Sequence, residues 1–351
     1  MKKKFKFLTP LKIVSVFVVL VLGLTACGTS SAGNSTSNKK TAASGKVTTV
    51  NVAGYWGAGG LTTYDPLIVA QKLGYFKNIK IVDSSVPVGA DTLAALTSGR
   101  VQAAHLQYSI AISAVAKGAK LKAVAAAHGG QNTSNLHFYV PKDSQINGPE
   151  DLKGKSIGGI RIGDSAYYGL SDWLKKGGVS INDVKFVTVQ PGETFQVLEK
   201  NQLAGVGTWS DFEQKPIEES GKYRVLFTVY DLFPKGLIHC GLFLNQKFID
   251  ENPEAVKELT VGFEKANTWL QENPEKGKEL HVQIAKERGL DSSAIEKYYS
   301  VVDIRPHSLA KNSDAQYFID KLEEYDYIPK GKVKVSDVLT NEFNPYDSKS
   351  E

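Results

Sequence analysis

Gly163-Asp164-Ser165 stands directly before AYYGLSDWLKK, a segment with helical spacing. A helix start offers unbonded N–H groups and a partial positive charge, and the Ser165 hydroxyl would add a donor, so an oxyanion could dock at this turn. The same residues also fit a plain N-cap, with Asp164 or Ser165 satisfying the helix itself. Both readings stand at this level, because an ionised Asp164 turned into a cleft would repel an anion. Upstream, GPEDLKGKS closes in Gly154-Lys155-Ser156, like the phosphate-gripping loop of ATPases. That loop needs four residues between its glycines and a helix at once after it. Here five residues separate Gly148 from Gly154, Pro149 removes a donor, and the following IGGIRI reads as a strand. Nucleotide binding is not expected.

Trp56, Tyr64, Tyr108, Tyr167, Tyr168 and Trp209 lie on or beside the expected loops. Aromatic walls suit an organic ligand with an apolar or cyclic part, and Asp65 or Asp211 could pair with an amine. Trp56 and Trp209 are expected to face such a ligand, with one of Tyr167 and Tyr168. His105 and His128 could donate to an anion, although a lone histidine is more often structural. The candidate ligand-binding set is therefore Trp56, Gly57, Tyr64, His105, Gln107, Tyr108, Gly163, Asp164, Ser165, Tyr167, Trp209 and Asp211. The six histidines form neither HExxH nor a close pair, so no metal site is expected. GDSAY lacks the second glycine of G-x-S-x-G and no Cys-His signature is present, so no catalytic residue is expected. No cofactor is expected either.

These residues need elements to position them. KVTTVNV alternates as a strand, Pro66 to Leu73 has helical spacing, and IKIVDSSV returns as a strand. A helix, a short strand, a helix and another strand follow through ADTLAALTSGRVQAAHLQYSIAISAVAKGAKLKAVAAA. From LHFYV onward the same plan repeats, with a helix ending at Gly177-Gly178, a strand at VKFVTVQ and a helix near Thr194 to Lys200. Strands alternating with helices predict an α/β fold with mostly parallel sheets. Such sheets bind ligands outside the carboxyl ends of their strands. Two of them facing each other would gather four loops at one cleft: Tyr55 to Thr63, His105 to Ser109, Gly163 to Tyr168 and Thr208 to Asp211. The rest is helical, led by Pro253 to Asn273, whose Val256, Leu259, Phe263, Ala266 and Leu270 form one stripe. Further helices are expected near Pro274 to Arg288, Ser292 to Val302 and Ser313 to Tyr325.

The N-terminus has a basic start, an apolar run from Ile13 to Leu22 and small residues before Cys27, the pattern of a secretory signal. The run is too short to span a hydrocarbon core of roughly 30 Å. Leu24-Thr25-Ala26-Cys27 resembles a bacterial lipobox, which implies cleavage before Cys27, lipid attachment to its sulfur and a place on the outer face of a membrane. The chain has 42 basic and 37 acidic residues. Lys2, Lys3, Lys4, Lys6 and Lys12 would leave with the signal, so 37 bases balance 37 acids and no nucleic-acid partner is expected. With Cys27 acylated, Cys240 has no disulfide partner and reads as a small buried apolar residue. The polar stretch from Gly28 to about Gly45 reads as a tether.

GYFKNIKIV, LTSGRVQAA, PEDLKGKSIGG followed by its Gly-x-Ser loop, and VLEKNQLAGVGTW together resemble the extracytoplasmic solute-binding proteins of ATP-binding-cassette (ABC) importers. The branch is that of the nitrate, sulfonate and taurine binders, with thiamine-precursor-binding relatives, and the resemblance covers about Val47 to Pro345. It implies a two-lobed periplasmic-binding-protein-like fold of type II, with two hinge strands near Leu136 to Val140 and Leu237 to Leu244, the latter holding Cys240. The expected organisation is 1–26 signal, 27–46 tether, 47–138 with 238–351 as lobe 1, and 139–237 as lobe 2. The implied function is capture of a small organic solute, of the sulfonate, taurine or nitrate type, by a lipid-anchored monomer that serves a permease and its ATPase subunit. Alternatives are a thiamine-precursor-like heteroaromatic ligand, a sensor module without transport, or an exported hydrolase. The family pattern carries Asp where this chain has Gln102 and Gly205.

Overall fold

The computed structural model of the protein describes residues 47–53, 65–84, 86, 90–129, 136–159, 161–190, 192–228 and 231–347. The expected signal and tether, Cys27 and the loop carrying Trp56, Gly57 and Tyr64 lie outside the described residues. Those described belong to one compact unit, Gly45–Glu351, built on two five-stranded sheets.

The first sheet draws β1 (Thr48–Ala53), β2 (Ile79–Asp83), β3 (Ala103–Gln107) and β4 (Leu121–Ala126) from the first half of the chain. Between them run α1 (Pro66–Lys72), α2 (Ala90–Thr97) and α3 (Tyr108–Ala116). Pro66 opens α1, where a missing N–H costs nothing, and Asp65 caps it by accepting from Ile68 N at 3.4 Å. The second sheet contains β5 (His137–Pro141), β6 (Ser156–Gly159), β7 (Lys185–Thr188), β8 (Val206–Thr208) and β9 (Tyr223–Thr228), joined through α4 (Ser165–Lys176), α5 (Thr194–Glu199) and α6 (Asp211–Glu219). The chain then returns to the first sheet as β10 (Cys240–Asn245) and ends in α7 (Gln246–Glu251), α8 (Pro253–Glu272), α9 (Pro274–Glu287), α10 (Ser293–Tyr298), α11 (Asn312–Glu324) and α12 (Val335–Val338).

Strand orders are β2-β1-β3-β10-β4 and β7-β6-β8-β5-β9. The two lobes thus share one plan: parallel strands with a single antiparallel strand inserted in fourth place, β10 in one and β5 in the other. The passages between the sheets fall between Ala126 and His137 and between Thr228 and Cys240, each running straight into that antiparallel strand. The second passage is anchored by Asp314 of α11, which accepts from Ile238 N at 3.2 Å and from Arg305, itself bonded to Gly236 O at 2.9 Å.

The apolar stripe of α8 is buried as its spacing requires, with Val256, Leu259, Phe263 and Ala266 fully enclosed against α1 and the first sheet. The Val, Leu and Phe side chains among them contribute about 1.5–3 kcal/mol each by burial. Gly154 takes φ +76, and its N–H bonds to Asp183 O at 2.7 Å. Gly154-Lys155-Ser156 is therefore the turn into β6, as IGGIRI predicts. Gln102 and Gly205 also find reasons. The Gln102 carbonyl accepts from Asn51 N and Asn51 Nδ2 at 2.9 and 3.0 Å. A Cβ on Gly205 would lie 2.5 Å from the Phe138 ring and 2.7 Å from Tyr139 O. α10 stops at Tyr298, short of the expected Val302, and α6 has no counterpart among the elements expected from sequence.

Candidate functional site

β3 passes into α3 without a loop, so His105 and Gln107, two residues apart, share one face at the carboxyl end of the strand. The Gln107 side chain crosses to the second lobe. Its Oε1 accepts from Ser165 N at 2.9 Å and from Ser165 Oγ at 3.2 Å, two donors converging on one oxygen at the start of α4. Asp164 supplies the rest of the cap, with Oδ1 accepting from Tyr167 N at 2.8 Å. The N-cap reading of Asp164 is the one realised, yet the Ser165 donors still face an acceptor from the opposite lobe. Gly163 precedes them at φ +85, a conformation that favours glycine and brings the chain into the cap.

Asp164 is 1 % exposed, and burial raises its pKa to about 6 against the opposing pull of the Tyr167 and Ala166 N–H groups and of Arg161. Its Oδ2 is buried without a hydrogen-bond partner among the described residues. A narrow cavity lined by Asp164, Tyr167, Phe186 and Phe227 lies beneath the helix start.

A row of rings runs between the lobes beside this contact. Trp209, just after β8, stacks on His239 with centroids 4.8 Å apart, and its buried Nε1 has no hydrogen-bond partner among the described residues. His239 meets His128 edge-on at 5.5 Å, and His128 stacks on His105 at 4.5 Å. Burial and the neighbouring His105 ring push His239 down to about 3, and burial with His105 and His239 holds His128 well below the ordinary range. His128 and His239 are therefore neutral at physiological pH.

Of the residues singled out from sequence, His105, Gln107, Gly163, Asp164, Ser165 and Trp209 gather here. Tyr108 does not belong with them. Its backbone N bonds to His239 O at 2.9 Å, but its ring is fully buried between Phe243 and Phe318 in the first lobe's core, because α3 turns that position inward. Tyr167 is nearly buried, its ring edge-on to Phe186 and to Tyr327 of the opposite lobe. Asp211 begins α6. Asp65 sits apart, fully buried, where burial raises it to about 7 despite Arg288 at 3.5 Å, with Asp83 also raising it. His239 escaped the sequence reading: its place is set by pairing of β10 between β3 and β4, which no local pattern announces.

The sequence model of the family described as NMT1/THI5 like matches residues 62–277. In fold the chain is similar to the alkanesulfonate-binding protein SsuA of Xanthomonas axonopodis pv. citri bound to MOPS, with 19 % identity, a TM-score of 0.65, and coverage of 84 % of this chain and 99 % of that one. It is also similar to the nitrate-binding protein NrtA of Synechocystis PCC 6803 (16 %, TM-score 0.66, 85 % and 87 % covered). A third likeness is to a zinc-bound ligand-binding component of an ABC-type import system from Staphylococcus aureus (17 %, TM-score 0.66, 85 % and 98 % covered). Among curated proteins, a Brucella abortus relative that bears only the general description of a binding protein is 28 % identical over 116 residues, a match spanning 33 % of this chain and 36 % of that relative's length.

Proposed function

The chain belongs to the NMT1/THI5-like family, and on that premise we propose that it is the solute-binding subunit of an ABC importer, holding a small organic oxyanion between its lobes. The observation that carries this reading is the pair of Ser165 donors closing on one oxygen of Gln107 across the two lobes. A sulfonate oxygen has the charge that such a helix start favours and would take the place of the neutral amide oxygen. The displaced carboxamide could then donate to a second ligand oxygen, and the Trp209 Nε1 to a third. The Trp209 and His239 rings would meet the organic part, which favours a sulfonate over bare nitrate. The same rings support a heteroaromatic thiamine-precursor-like solute as a second reading.

The role is binding rather than catalysis. Ser165 Oγ donates to an amide oxygen, which is no base, so the hydrolase alternative finds no activated nucleophile at this turn. In this proposal Cys27 carries the lipid anchor on the outer face of the membrane, residues 47–138 with 238–351 form one lobe, 139–237 form the other, and the partners are the permease and its ATPase subunit. Among the described residues no helix is long and apolar enough to cross a membrane.

A thermal-shift screen of the full chain in detergent, with MOPS, taurine, other alkanesulfonates, nitrate and pyrimidine thiamine precursors, tests the reading. A ligand held by the folded form alone stabilises it by mass action, by about 2.7 kcal/mol at a hundredfold excess over Kd, and so raises the melting temperature. Stabilisation by a sulfonate is expected. A shift with pyrimidines alone would select the second reading, and none with any member would remove both.

A further inference from the structure

We propose that His105, His128 and Cys240 form a binding site for a borderline or soft divalent metal, with zinc as the natural occupant. The three arrive from separate parts of the chain. His105 lies on β3, His128 just beyond β4, and Cys240 opens the antiparallel β10 that pairs with both strands. In that register Cys240 stands opposite Gln107 and Leu242 opposite His105, so Cys240 and His105 share a face of the sheet at the end nearest the second lobe.

One ligand atom from each of the three lies within 4.8 Å of the others. Tetrahedral zinc, with bonds of about 2.0–2.1 Å to nitrogen and 2.3 Å to sulfur, would hold such atoms roughly 3.3–3.6 Å apart. Metal binding would have to draw the three ligand atoms closer by about an ångström. His105 and His128 are half-buried and Cys240 is buried.

The chemistry of the donor set selects the metal. Two imidazoles and one thiolate suit zinc or cobalt(II) and disfavour magnesium and calcium, which take oxygen ligands. The rings of His105 and His128 stack with centroids 4.5 Å apart, which brings two imidazoles together beside the thiol. Coordination would expel the Cys240 thiol proton to solvent, and a three-residue set leaves the fourth position to water. Cys240 is the one cysteine besides Cys27, and its position among imidazoles distinguishes it from an ordinary apolar core residue. Because β10 follows directly on one passage between the lobes, a metal here would fix the strand on which that passage lands.

Cobalt(II) titration of the full chain, purified in detergent and stripped with chelator, tests the site. The expected result is a thiolate-to-cobalt charge-transfer band in the near ultraviolet with intense tetrahedral d–d bands, saturating at one metal per chain and displaced by zinc. Cys240→Ser should abolish the charge-transfer band, and His128→Gln, at a half-buried position, should weaken zinc binding roughly tenfold or more. Far-ultraviolet circular dichroism in chelator checks that both variants fold. A wild-type cobalt spectrum without the thiolate band, or zinc affinity unchanged in a folded His128→Gln, would overturn the site. The metal cluster adjoins the solute site through the His128–His239 contact, and the two readings are told apart by experiment: absent metal binding with intact sulfonate stabilisation refutes the metal alone, and the reverse outcome refutes the solute alone.

Discussion

Ser165 and Gln107 meet across the cleft through an interaction that neither lobe could make alone, and a neutral amide oxygen occupies a position electrostatically suited to an anion. Asp164 limits how strongly an anion can compete for it. Its pKa of about 6, raised from 3.8 by burial, means that the folded protein retains a proton there which the unfolded chain has already lost. The associated stability is complete below about pH 4 and is lost as pH rises through about 6. Asp164→Asn keeps the cap and removes the titration, so the stability of wild type relative to this variant should fall between pH 4 and 7 by on the order of 3 kcal/mol. Denaturant unfolding of both proteins across that range would show it, and parallel curves would contradict it. For the same reason oxyanion binding by wild type should tighten as pH falls through about 6. At this scale Gln107 and Ser165 were legible as residues near expected loops, but their bond to each other was not, since it depends on how the two lobes meet. Tyr108 was misleading because an aromatic at the end of a strand looks the same in sequence whether α3 turns it outward or inward.

Elements were read well wherever periodicity is local. β1, β2, α4 with its Gly177 stop and the stripe of α8 fall at or near their expected bounds, and β3 and β4 come in the expected order. Two kinds of element were not. α6 was obscured by Pro216 within it, a residue that normally marks a helix break. The antiparallel insertions β5 and β10 were seen as strands, but their places between partners distant in the chain leave no pattern in sequence. Gly205 shows how an element can dictate a departure from a family motif. The β5 residues Phe138 and Tyr139 press so close that any Cβ must displace backbone or ring. Gly205→Ala should destabilise by about 1–3 kcal/mol, and the family's Asp at this position should cost more, measured by thermal unfolding. A Gly205→Ala protein as stable as wild type would mean that β5 moves aside freely.

At the scale of the whole molecule, the lobes are tied at two further places away from the Ser165–Gln107 bond. Asp172 of α4 accepts from Lys321 and Tyr325 at the end of α11, at 3.0 and 2.7 Å. Lys297 and Tyr298 of α10 reach Glu219 of α6, each at 2.8 Å. Ties of this kind contribute little individually when exposed. They are suited to lobes that open and close, with the bound solute supplying the difference between the states. The central claim is that an organic oxyanion takes the place of Gln107 at the Ser165 donors. Isothermal titration calorimetry of MOPS into the full chain, in a sulfonate-free buffer, tests it most directly. Saturable binding of one molecule per chain, weakened about tenfold in Ser165→Ala through loss of one charge-assisted hydrogen bond, is the predicted result. Absence of binding, or equal affinity in the two proteins, would contradict it.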